Sequence, residues 1–299
     1  MASTRYSIYS ATVNGTSWTQ IAGCGVRNGS SKEVIVPGGG LDAGAVILSM
    51  ADPTVTISSH DFTTIWGAVS VSTGLNCTSG ATFRFQQRAA GGTFTGSTNN
   101  VSLSSTQGHA ILRSVSASQD SPAICEVDYK PTYDGSTLPL VVNASVSFSA
   151  TPTFVSCFYL GPVYVNGVQI EGVVSTRVDT GVMFDVFRGD GDLYAKVGSV
   201  IVRRPSISIT WRAAEYLSSG LANIFNSAPG GAVALYYLKG VHGSSARVAA
   251  GTTSHGKISL ASGAWSPDDI SVQDVGDANI TVTINPTATL ALSVASAVP

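Results

Sequence analysis

A chain of 299 residues is long enough for two domains of ordinary size. Hydrophobic residues make up 43%, enough for extensive cores, but charged residues only 11%, against roughly 25% in an average soluble protein. Sixteen Lys and Arg against 18 Asp and Glu, a net charge of -2, exclude a protein that grips nucleic acid through a basic surface. Residues 1–5 lead into no apolar signal core, and the longest apolar run, near 45–48, is too short to span a bilayer. The expectation is a chain made in the cytoplasm and kept out of membranes. A surface poor in charge and rich in Ser, Thr and Gly leaves sheet edges open to pairing, which an assembly would cover.

In chain order, the first predicted turn is Asn14-Gly15 between strand-like runs, and the pair recurs at Asn166-Gly167. The offset of 152 then holds without a gap: between residues 13–57 and 165–209, 11 of 45 positions are identical. Residues 33–36 and 185–187 read as equivalent strands, each running into a turn, Gly38-Gly39-Gly40 or Gly189-Asp190-Gly191-Asp192. Strands at 45–50 and 198–202 follow. The next begin after Pro53 and Pro205, where a missing N–H is tolerable. Val55 and Ile57 there match Ile207 and Ile209, alternating with hydroxyl residues.

The period then changes. Phe62, Ile65, Trp66 and Val69 recur at helical spacing, with Asp61 placed as a cap. Ala214, Leu217, Leu221, Ile224 and Phe225 form the matching helical face in the second copy. Phe83-Arg84-Phe85 lies on Leu235-Tyr236-Tyr237; a three-residue insertion then makes the offset 155, and strand 124–129 lies on 280–284. The join is expected near Gly161-Pro162, with 141–158 closing the first copy and 287–299, its counterpart, a mobile arm. The fold class expected is mainly β: two tandem β-sandwich or barrel domains, 1–160 and 161–299, each of about seven strands with one flanking α-helix packed on the sheet.

Chemistry-bearing motifs are absent. Cys24, Cys77, Cys125 and Cys157 are widely spaced, with no C-x-x-C and no histidine at ligand spacing, and are expected to be free thiols. His60, His109, His242 and His255 stand near no nucleophile motif, and G-x-S-x-G and H-E-x-x-H do not occur. His60 and His109 fall on Arg212 and Ala264, so the copies share no histidine and no inherited catalytic site. Neither an enzyme nor a cofactor or metal site is expected. Asp185 with the Gly189–Asp192 turn lacks the spacing of a calcium loop, and Gly38-Gly39-Gly40 is followed by no Lys-Ser/Thr of a phosphate loop. Arg188-Gly189-Asp190 and the N-x-Ser/Thr sequons carry no weight without a secreted context. Arg203-Arg204 reads as a solvated edge or a contact between subunits.

Two similar domains without a site suit a closed ring, which needs repeated heterologous contacts. The paired Asn-Gly turns, the Pro53- and Pro205-led strands and the helices near 60–72 and 211–226 give an order that resembles the tail tube domain of long-tailed bacteriophages. The resemblance covers residues 1 to about 290 and rests on pattern, with no diagnostic motif. It implies a virion structural protein, the major tail tube subunit, assembled in the host cytoplasm. It further implies rings of three chains imitating sixfold symmetry, stacked into a conduit for transient passage of double-stranded DNA, and contacts with other phage tail proteins. Candidate lumen-facing residues are Asp42, Arg88, Asp190 and Asp192, and candidate inter-ring hairpins are 25–46 and 178–200. A baseplate hub or other virion protein is the nearest alternative. A tandem β-sandwich adhesin or receptor-binding module is another, but the tryptophans do not pair between copies: Trp18 falls on Ile170, Trp66 on Ser218, and Trp265 on His109 or Ala110. An enzyme with a site in one copy or between chains is the third.

Overall fold

A computed structural model describes residues 5–36, 38, 44–88, 98–148, 156–212, 231–241, 246–271 and 279–299. The protein is mainly β, with one α-helix among the described residues. The first half supplies β1 (Arg5–Val13), β2 (Thr16–Trp18), β3 (Ile21–Arg27), β4 (Ser31–Ile35), β5 (Ala45–Met50), β6 (Thr54–Ser59), α1 (Phe62–Ala68), β7 (Leu75–Cys77), β8 (Ala81–Arg88), β9 (Asn100–Ser105), β10 (Gly108–Ser118), β11 (Ser121–Pro131) and β12 (Val141–Val146). The second supplies β13 (Ser156–Val165), β14 (Val168–Ile170), β15 (Val173–Asp179), β16 (Val182–Phe187), β17 (Val197–Arg203), β18 (Ser206–Arg212), β19 (Val233–Val241), β20 (His255–Leu260), β21 (Gly263–Ser271), β22 (Asn279–Pro286) and β23 (Ala291–Ser296).

β-branched residues alternating with hydroxyls write these strands. In β6, Val55, Ile57 and Ser59 are buried while Thr54, Thr56 and Ser58 face the other way, and β18 and β22 repeat the pattern. The strands form two five-stranded sheets, β12-β9-β8-β1-β2 and β14-β13-β19-β20-β23, and a nine-stranded sheet whose main path is β21-β22-β18-β15-β10-β11-β6-β3. β7 pairs with β10 beside that path, and the hairpins β4–β5 and β16–β17 stand as separate two-stranded sheets.

Pairing recurs strand for strand. β1 pairs β2 and β8 as β13 pairs β14 and β19; β3 pairs β6 as β15 pairs β18; β10 pairs β11 as β21 pairs β22. The irregularities recur as well. A bulge lies between Ile21 and Gly23 and between Val173 and Ser175, between Leu112 and Ser114 and between Pro267 and Asp269, between Ser31 and Lys32 and between Met183 and Phe184. The Asn-Gly turns match in backbone angle, with φ of 47° and 79° at Asn14 and Gly15 and 51° and 80° at Asn166 and Gly167, the positive values a tight hairpin requires.

Three expectations are corrected. β13 runs through Gly161-Pro162, so no break lies there. A bulge between Leu160 and Val163 accommodates the proline, and a Cβ on Gly161 would lie 2.7 Å from the Tyr236 carbonyl oxygen. Residues 287–299 are no arm: β23 pairs with β20, Leu290 and Val298 are buried, and the Val298 N–H donates to Ala250 O at 2.9 Å. Strands are also more numerous than seven per copy. Of the helix expected near 211–226, Trp211 and Arg212 instead end β18, and residues 213–226 lie outside the described residues.

The core is one continuous cluster, from Trp18, Phe83 and Tyr129 in the first half to Trp211, Leu235 and Ile284 in the second. Helix α1 is the link. Its Phe62 stacks on Phe158 of β13 at 5.2 Å, and Phe62 and Trp66 meet Tyr237 of β19 edge-on at 5.6 and 5.8 Å.

Candidate assembly surface

The two halves meet head to tail. On the main path the first half contributes β3-β6-β11-β10 and the second β15-β18-β22-β21 in the corresponding order. The seam is therefore β10 of one half against β15 of the other, two strands that do not correspond. Ser114 pairs Asp179, Val115 pairs Val178, and the register runs on to Ser118 against Ser175. Gln119 extends the seam, its N–H donating to Val174 O at 2.9 Å and its amide Nε2 to Val173 O at 2.7 Å. At the other end the Thr180 N–H donates to Arg113 O at 2.9 Å. A second contact lies nearby, where the Tyr133 N–H donates to Ala195 O at 2.7 Å and the Ala51 N–H to Leu193 O at 3.1 Å.

The two terminal strands of the path, β3 and β21, are the counterparts of β15 and β10. Each is hydrogen-bonded along one side only within the described sheet. Side chains of the second half that the first half covers, Val178 at the seam and Phe158 and Tyr237 under α1, have counterparts in the first half that are open. Val178 is 1% exposed and its counterpart Val26 is 45% exposed; Phe158 is 1% exposed and its counterpart Tyr6 is 45% exposed. Tyr237, fully buried, corresponds to Phe85, which is only partly buried. Beside β3 lies a groove of about 320 Å³ walled by Val26, Arg27, Pro53, Leu138, Leu140 and Tyr194.

Two further surfaces stand out. Hairpins β4–β5 and β16–β17 expose large apolar side chains, among them Val34, Val46, Ile47, Met183, Val197 and Ile201. One face of the nine-stranded sheet covers the core. The other carries hydroxyls with a few balanced charges: the Thr56 hydroxyl donates to Asp128 at 2.7 Å, the Ser114 hydroxyl to Glu126 at 2.9 Å, and Thr210 and Thr281 share a bond of 3.0 Å.

The residues singled out as lumen candidates do not gather. Asp42 lies outside the described residues. Arg88 ends β8 in a five-stranded sheet. Asp190 and Asp192 share the turn between β16 and β17, where the Asp192 carboxylate accepts the Gly189 N–H at 3.1 Å and pairs with Lys196 at 2.7 Å. The polar sheet face and the seam were not found from sequence, although hydroxyls alternating with Val and Ile in 54–59, 206–211 and 279–284 signal the face.

Titratable groups read as structural. His255 is fully buried; the Lys239 N–H donates to its Nδ1 at 3.1 Å, and its Nε2 lies 2.9 Å from Ala249 O. His109 packs on Phe184, and desolvation lowers its pKa. The four cysteines are free thiols. Desolvation raises Cys24 and Cys77 to about 11, the latter partly offset by a hydrogen bond to Ala110, and raises Cys125 further still. Among the described residues no group of three His, Cys, Asp or Glu is placed to hold a metal ion, and no helix is long and apolar enough to cross a membrane.

No protein-family model matches the chain, and no curated protein matches it in sequence.

Proposed function

We propose that this chain is a ring-building virion structural protein, the major tail tube subunit of a long-tailed bacteriophage. It is non-enzymatic, and it is built from two diverged copies of one β-sandwich domain. On this reading each copy begins at its β1-like strand, β1 in the first and β13 in the second, so the join precedes β13. The observation that carries the reading is the head-to-tail seam. A heterologous contact between similar units leaves a free half-contact at each end, and repetition closes a ring or runs on as a filament. Three chains then give a threefold ring with near-sixfold symmetry.

The polar face of the nine-stranded sheet suits the wall of a DNA conduit better than the four residues first picked out. Hydroxyls and paired charges give passing phosphates little to grip. The apolar hairpins β4–β5 and β16–β17 suit contacts between stacked rings, in keeping with the segments 25–46 and 178–200, and other tail proteins would cap the stack. Electron microscopy of the purified protein at high concentration tests this. Rings or tubes with three chains per layer are expected; a protein that stays monomeric at every concentration, with or without tail partners, would overturn it.

A further inference from the structure

We infer that β21 of one chain adds to β3 of a second copy in the register of the internal seam, with Asp269 opposite Arg27 as the charge pair that sets the direction of assembly. The inference rests on the ring-building reading and names the surface that carries it.

The register transfers without adjustment. Val115 pairs Cys125 and Ile270 pairs Ile280, so β21 repeats β10 at an offset of 155. Val178 pairs Ile207 and Val26 pairs Val55, so β3 repeats β15 at an offset of 152. The internal pairs Ser114 with Asp179 and Val115 with Val178 then become Asp269 with Arg27 and Ile270 with Val26 across two chains. A second copy placed this way would cover Val26, whose counterpart Val178 is buried at the internal seam.

Charge favours this pairing over its competitors. β21, GAWSPDDIS, carries two carboxylates and no cation; β3, IAGCGVR, carries one cation and no carboxylate. Two copies of β3, or two of β21, paired edge to edge would offer each other no opposite charge. The head-to-tail pairing brings opposite charges together. An isologous dimer is thereby disfavoured against a ring, a choice that the backbone edges alone do not make.

Three variants of the full chain test this by sedimentation across a concentration series: Arg27→Asp, Asp269→Arg and the double exchange. Arg27 is exposed on an end strand, so its replacement leaves the fold intact, as circular dichroism would check. Each single reversal is expected to weaken assembly by about tenfold or more, since like charges then face each other across the joint. The double exchange is expected to restore most of it. Hydrogen exchange on the unaltered protein gives an independent reading: on assembly, amides in 21–27 and 263–271 should gain protection while those in 114–118 stay unchanged. If the unaltered protein forms rings but neither the reversals nor the exchange pattern respond, this joint is wrong and the ring-building reading stands. If the unaltered protein never assembles, both fall.

Discussion

At the scale of single residues, the molecule reads as a set of buried polar groups held in their neutral forms. Cys24 and Cys77 keep their protons to about 11 instead of the ordinary 9.0, and burial drives Tyr129 and Tyr237 upward as well. The Tyr129 hydroxyl meets Ser105 at 2.5 Å in the core beneath β9 and β11. Because the folded state holds these protons to higher pH than the unfolded chain, it gains stability that is complete below the unfolded values. For the two thiols that contribution is lost as pH rises from about 9 through about 11. Chemical denaturation midpoints should therefore be flat from pH 7 to 9 and fall beyond it. Tyrosinate absorbance should show that Tyr129 and Tyr237 ionise only with unfolding. A native protein in which every tyrosine titrates near pH 10 would contradict this packing.

Among the elements, α1 shows most clearly what local sequence can and cannot specify. Asp61 accepts the Thr64 N–H at 3.2 Å as the cap, and also holds Thr19 through its N–H and hydroxyl at 3.3 and 3.1 Å. Asp61→Ala should destabilise the protein by about 1–2 kcal/mol, with Asp61→Asn recovering much of it, as thermal denaturation can measure. The cap and the stripe of Phe62, Ile65 and Trp66 were legible because both depend on residues a turn apart. The target of the stripe was not, because Phe158 and Tyr237 lie far along the chain and meet the helix only after the sheets form. β23 was missed for a similar reason. Its partner β20 ends 31 residues before it begins, and its Leu292 and Val294 are only partly buried. Gly161-Pro162 misled in the opposite sense, since those residue types mark breaks and here mark a bulge inside one strand. The hairpins were legible as strands, but not their exposure. Val46→Glu, at a side chain 60% exposed, should leave folding and ring formation intact and shorten or abolish stacks of rings seen by electron microscopy.

For the molecule as a whole, the repeat mattered more than any single motif. It was visible in sequence as matched turns and prolines. The structure adds that the corresponding sheets are joined in sequence order, so one chain holds a complete example of the contact proposed between chains. Val26 is what that contact leaves uncovered at one end. A surface with only 11% charged residues and open sheet edges is at risk of indiscriminate pairing, and a closed ring removes the edges. The most direct test is a reconstruction of the assembled protein at a resolution that traces strands. The account predicts three chains per ring, with β21 of each hydrogen-bonded to β3 of the next and Ile270 opposite Val26. A ring joined through other strands, or a twofold dimer pairing β3 with β3, would contradict it.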